Sequence, residues 1–259
     1  MLPGPGRTFF SQNVRAIWLA AIFVIFLPPG VNAEPRSGNV VCRAELSAKH
    51  RQQLTSKLRK ITGFTDLRFD QNGFLRAGGF SGLGSASARA LINDALYGRN
   101  VIVVEDASDQ QSVGFAQVVP GKWKKNGHIG PVFVIQIDFA DFEQLVGDAR
   151  AREAFDVGWG FLHELDHIVS DSPDATTLGE TGECEAHLNQ MRRECNLPER
   201  TDYFSVLSPL ATDSSFMTRF VRLSFEAHEP ATNKTRRYWL TWDANAVGGV
   251  EVGPIAAMR

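Results

Sequence analysis

Apolar residues recur at helical spacing over residues 44–61, where Leu46, Leu54, Leu58 and Ile61 sit among Lys, Arg and Gln, and this predicts an amphipathic helix. Two short runs, 67–70 and 73–76, flank Asn72-Gly73, a type I′ hairpin signal. Residues 78–84 are glycine-rich loop, and 85–96 form a short helix candidate. Three strand-like runs follow at 101–105, 113–119 and 132–139. The last alternates Val132, Val134, Gln136, Asp138 against Phe133, Ile135, Ile137, Phe139, and it offers the expected edge for an extended peptide. Glycine and lysine across 121–130 predict a turn or flexible loop. Residues 151–169 form a helix whose Phe155, Trp159, Leu162, Leu165 and Val169 share one face. Polar residues 170–181, with Pro173 and Gly179, read as a connection. A second helix spans 183–196 and closes before Pro198. Runs 217–227 and 236–242, joined across Pro230 and Asn233, predict a C-terminal hairpin. This order reads as α+β: a small mixed sheet, a central helix and its successor, and a closing hairpin.

The first residues read differently. Arg7 and Arg15 precede an uninterrupted apolar run, 16–27, which Pro28-Pro29-Gly30 breaks before Ala33. Residues 1–33 are thus expected to be a signal peptide, since the run is short for a bilayer-spanning helix, which needs about 20 residues. An uncleaved anchor is the alternative. Residues 34–259 suit a single domain: 34–100 a helix and hairpin region, 101–205 the core, 206–259 the C-terminal hairpin. The expected location is secreted or periplasmic, with no membrane attachment after cleavage. A net charge of −2 gives no domain-wide basic field, which argues against a nucleic-acid partner.

Within the central helix lies His163-Glu164-Leu165-Asp166-His167. Two His residues four apart share one helix face and can ligate one metal ion, and Glu164 falls where it can deprotonate a water beside that ion. A catalytic zinc site takes three protein ligands, so a third donor is required. No further His follows at close spacing, because residues 168–173 are Ile-Val-Ser-Asp-Ser-Pro. An acidic helix start comes next, Gly182-Glu183-Cys184-Glu185-Ala186-His187-Leu188-Asn189.

Over about residues 130–205 these features resemble the gluzincin metallopeptidases, and the close of the second helix resembles that of small exported bacterial zincin-like proteins. The resemblance implies a zincin-like fold, Zn2+ held by His163, His167 and Glu185, and Asn189 one turn on steadying a histidine ligand. Glu183 and then Glu180 are the alternatives for the third ligand. The family's extended substrate-binding consensus before the helix is not found. The implied activity is peptide-bond hydrolysis of a peptide or protein substrate with Glu164 as catalytic base. A second electrophile is needed for the oxyanion, and Tyr203 is the first candidate, followed by His228 and His187.

The competing expectation is a non-catalytic exported protein that keeps zinc for stability and binds a partner, with Tyr238, Trp239 and Trp242 as a surface. A fourth protein ligand, Cys184 or His187, favours it. Asp171 and Asp174 suggest calcium only weakly, because no calcium-loop spacing surrounds them. Asp166 is expected to face solvent or an Arg, and His50 and His128 to be exposed. Among the three cysteines, Cys184 and Cys195 are too far apart along a helix to pair, which leaves Cys42 as a partner for either. A Cys42 thiolate capping the metal is a further, weaker option.

Overall fold

Strand β1 (Val40–Cys42) enters the first sheet, and Ser47 then accepts the His50 N–H at 3.1 Å to start helix α1 (Ala48–Thr62). These coordinates are a computed structural model that describes residues 38–108, 110–125, 128–207, 220–229 and 232–248. The expected signal segment lies outside them. The described residues belong to one compact unit, Arg36–Arg259. Among them, no helix is long and apolar enough to cross a membrane.

The small hairpin joins β2 (Asp66–Phe69) to β3 (Leu75–Gly78) through residues 70–74, a longer connection than the two-residue turn expected. Asp70 makes the difference: its carboxylate accepts the Asn72 and Phe74 N–H groups, and only Gly73 takes a positive φ, 81°. Helix α2 (Ala86–Tyr97) starts at Ser85 and leads to β4 (Val101–Asp106), β5 (Ala116–Lys125) and β6 (His128–Ile137). The sheet order is β1-β4-β6-β5. The first three strands run parallel, and β5 is antiparallel along the margin. Two expectations change here. Residues 121–125 and 128–130 are strand rather than loop, in ladder register from Ala116↔Ile137 to Lys125↔His128. The run at 132–139 is not an edge, because β6 is enclosed by β4 and β5, and the marginal strands are β1 and β5.

A short helix α3 (Phe139–Glu143) and strand β7 (Val146–Gly147) follow. The single helix expected over 151–169 is two, α4 (Ala149–Ala154) and α5 (Val157–Ser170). Asp156 causes the break, since its carboxylate accepts the Gly158 and Trp159 N–H groups and caps α5 afresh. Trp159, Phe161, Leu162 and Leu165 bury α5 against the sheet, with α1, α2 and helix α6 (Gly182–Glu194) around it. Fully burying a side chain such as Leu162 is worth about 1.5–3 kcal/mol. A second sheet holds β8 (Glu199–Arg200), β9 (Val206–Leu207), β10 (Phe220–Glu229) and β11 (Lys234–Asp243), with β7 at its far side. Its β10–β11 pair is the expected hairpin.

Glu194 ties the end of α6 to the start of α2. Burial would raise its carboxyl, but hydrogen bonds from Ser85 Oγ (2.6 Å), Ser87 N (3.0 Å) and Ser87 Oγ (2.7 Å) hold it down at about 2. A carboxyl depressed on folding stabilises the protein above its ordinary value, and that stabilisation is lost as pH falls through the folded one. Melting temperature should therefore drop between pH 5 and pH 2.5 by less in Glu194→Gln than in the native chain. Equal drops would show that this carboxylate does not carry the acid sensitivity.

Candidate metal centre

His163 and His167 stand one turn apart on α5, with ring centroids 4.8 Å apart and planes crossed at 87°. The Nδ1 atoms of both rings are engaged. His167 Nδ1 lies 2.6 Å from the Ser172 carbonyl oxygen, which can only accept, so this nitrogen bears the proton. His163 Nδ1 faces the Glu185 carboxylate at 3.4 Å and the Cys184 sulfur at 3.5 Å. A neutral imidazole protonated at Nδ1 presents a bare Nε2.

Both Nε2 atoms point at one carboxylate. Asp174 Oδ1 is 3.1 Å from His163 Nε2, and Oδ2 is 3.4 Å from His167 Nε2. Oδ1 is buried without a hydrogen-bond partner, whereas Oδ2 accepts the Tyr203 hydroxyl at 2.8 Å. Lone-pair nitrogens set against a carboxylate repel unless a proton or a metal cation lies between them. The pKa directions express the same demand. Burial would raise Asp174, yet the facing His163 and His167 rings and the Tyr203 hydroxyl hold it well below the usual carboxylate range. Burial would lower His163, but Asp174, Cys184 and Glu185 push it well above its ordinary value. His163, His167, Asp174 and Cys184 each offer a donor atom within 4.8 Å of the others, and this group could hold a metal ion.

Asp174 reaches the histidines because the chain doubles back behind α5. Asp171 ends the helix in the left-handed region at φ 55°, a conformation Asp tolerates. Asp166 was expected to face solvent or an Arg; it is buried, and accepts Ser170 Oγ at 2.8 Å and Ser172 Oγ at 2.5 Å. His187, half-exposed, adds its Nδ1 at 2.9 Å from the same carboxylate. Asp174 then bridges to Gly182, which has φ 77° and backs onto the chain so closely that a Cβ would sit 2.3 Å from Ala175 N. Only glycine meets both conditions.

Glu185, the third ligand implied by the resemblance, is fully buried on the Nδ1 side of His163, outside the four-residue donor group. Burial would raise its carboxyl, but Arg192 and Arg200 hold it far below the usual range. Arg192 contacts one oxygen, and Arg200 Nη1 lies 3.1 Å from the other. Glu183 and Glu180 are exposed. Asn189 does not touch a histidine; it joins the Arg200 backbone at 2.8 Å and Arg192 at 2.9 Å. Asp174 joins the group that could hold a metal, and in the sequence only a weak calcium suggestion points to it, because no periodicity marks it.

Glu164 is buried beside the cleft that His163, Tyr203, Ala116 and Gly160 also line. Burial raises its carboxyl, while His163, His167 and the Val118 backbone amide of β5 temper the rise. The Tyr203 ring stacks near His163, 6.1 Å between centroids, and burial followed by Asp174 raises its hydroxyl well above its ordinary value, so it stays protonated. His228 is exposed on β10 and does not line the cleft. His50 is not exposed as expected; it stacks on Phe139 and bonds Asp106 at 2.5 Å. None of the three cysteines forms a disulfide, and Cys42 is absent from the donor group.

Comparison with family models, with curated proteins and with solved structures returned no match for this chain.

Proposed function

We propose that this protein is an exported zinc-dependent peptidase whose metal is held by His163, His167 and Asp174. The observation that carries this reading is the convergence of the His163 and His167 Nε2 atoms on the two oxygens of one carboxylate, Asp174 Oδ1 at 3.1 Å and Oδ2 at 3.4 Å. Three donors leave the fourth position of a tetrahedral site open to water or substrate. The reading departs from the gluzincin pattern in its third donor, Asp174 in place of Glu185. Glu185 then supports His163 through Nδ1, the arrangement by which metal-binding imidazoles are commonly oriented.

Zinc in this site would polarise the scissile carbonyl and acidify an adjacent water. Glu164 takes the proton of the attacking water and returns it to the leaving amine. Its buried setting raises its basicity toward the working pH. The protonated Tyr203 hydroxyl, beside Asp174, can turn to the developing oxyanion. The free edge of β5 pairs the substrate backbone in extended form.

Cys184 supports a second reading, a closed four-donor site that stabilises an exported binding protein. Its sulfur lies at the Nδ1 side of His163, whereas Asp174 lies at Nε2, and burial raises its thiol pKa and keeps it neutral; both favour the open site. Elemental analysis of the purified protein tests the pair. About one zinc per chain should be found, retained in Cys184→Ala and lost in His163→Ala/His167→Ala. Loss in Cys184→Ala, with no peptide cleaved by the native protein, would favour the closed site, and no metal in the native protein would end both readings.

A further inference from the structure

Arg200 closes strand β8, in register with Phe225 of β10, and lines the metal cleft. One side chain clamps its backbone: Asn189 Oδ1 accepts the Arg200 N–H and Asn189 Nδ2 donates to the Arg200 carbonyl, both at 2.8 Å. Each nitrogen of the guanidinium then has a partner of its own. Nη1 lies 3.1 Å from Glu185 Oε2, Nε donates to the Asp202 carbonyl at 3.0 Å, and Nη2 donates to the Tyr203 carbonyl. The Tyr203 ring lies against the same group, its centroid 5.1 Å from Arg200 Cζ.

A counter-charge for Glu185 does not require this arrangement. Arg192, fully buried, already contacts the other Glu185 oxygen, and a lysine at position 200 would supply a second charge. What a planar fork adds is the pair of carbonyl contacts, which folds residues 201–203 around the guanidinium. The same stretch is tied on its other side, where the Glu180 carbonyl accepts the Tyr203 N–H at 3.0 Å. With its backbone and one ring face held, the Tyr203 side chain has little rotational freedom left. Its hydroxyl falls 2.8 Å from Asp174 Oδ2, and its ring stacks 6.1 Å from that of His163.

We propose that Arg200 is a positioning residue, which sets the Tyr203 hydroxyl at the metal centre through the Asp202 and Tyr203 carbonyls and acts on turnover only through Tyr203. Its effect on turnover rests on the peptidase reading. The placement of the hydroxyl does not, and the two are measured separately.

Placement is read without metal or substrate. Tyrosine labelled with carbon-13 at Cζ gives one signal each for Tyr97, Tyr203 and Tyr238, and Tyr203→Phe assigns the signal that disappears. Arg200→Lys keeps a positive charge near Glu185 but cannot reproduce the fork. In this variant the Tyr203 signal should move toward that of free tyrosine, with the other two unchanged. Should Arg200→Lys fail to fold, Asn189→Ser takes its place, since it releases the Arg200 backbone and leaves every charge in position. An unmoved Tyr203 signal in the folded variant overturns the proposal. Turnover is read with the zinc-loaded protein and a peptide that the native chain cleaves. Tyr203→Phe should lower kcat by about 10²-fold or more, as the loss of an oxyanion donor does. Arg200→Lys should lower it by about 10-fold or more, with KM changed by less than about 3-fold. The double variant should match Tyr203→Phe alone within about 2-fold, because one residue works through the other. Losses that multiply, or a native kcat in Tyr203→Phe, overturn the role in turnover while the peptidase stands. A moved signal in a protein that cleaves no peptide supports the placement and ends the peptidase reading.

Discussion

Replacing Glu164 by Gln leaves the metal bound and lowers peptide hydrolysis by about 10²–10⁴-fold, the range that a positioned general base contributes. The substitution is nearly isosteric in a buried place, and the amide oxygen can still face the Val118 amide. What disappears is the group proposed to accept a proton from water and pass it to the amine. On the proposed reading the substrate pairs with the β5 edge, which this substitution leaves untouched, so the loss should fall in kcat with KM nearly constant. Metal content should equal that of the native protein. Residual activity above one tenth, with metal retained, would remove Glu164 from the mechanism.

Asp174 and Glu185 offer the second large effect, because the two carboxylates have opposite relations to His163. Asp174→Ala removes a proposed donor at Nε2, so affinity for zinc should fall by more than the about 10–100-fold that losing an outer support costs. Glu185→Gln removes the support at Nδ1 and should cost affinity within that smaller range. It should also destabilise the fold by about 3–5 kcal/mol, since the buried Arg192 loses its counter-charge. The comparison is therefore made by zinc competition with a chelating dye at a temperature where both variants are folded. If Glu185→Gln loses zinc more completely than Asp174→Ala, the third donor is Glu185 and the assignment made here is reversed.

How far the sequence discloses this site depends on whether the signal is periodic. The His163–His167 spacing is a helical period, so the pair and Glu164 can be placed on one turn before any coordinates exist. The α+β order and the C-terminal hairpin are legible for the same reason, strand and helix periods being distinct over long runs. Asp174 is illegible because it lies in a polar stretch with no period. Its position is set by the Asp166 bonds to Ser170 and Ser172 and by the left-handed Asp171, which are three-dimensional facts. The division between α4 and α5 is hidden as well, since the apolar spacing runs on through Phe155 while Asp156 restarts the helix. At 121–130, glycine and lysine suggest a loop, and pairing with β6 overrides that local preference. Which strand is the margin of a sheet is a matter of tertiary order that no local window contains.

All three proposed metal donors belong to one helix and the turn directly behind it, whereas Tyr203 and the β10–β11 hairpin come from much later in the chain. The loop that an ion closes between His167 and Asp174 is short, so its entropic cost is small. If these donors hold a metal, the chain could capture it before the C-terminal hairpin has docked. On the proposed reading, cleavage would begin only after the β10–β11 hairpin has docked beside Tyr203, so metal capture and activity would be separate steps of assembly.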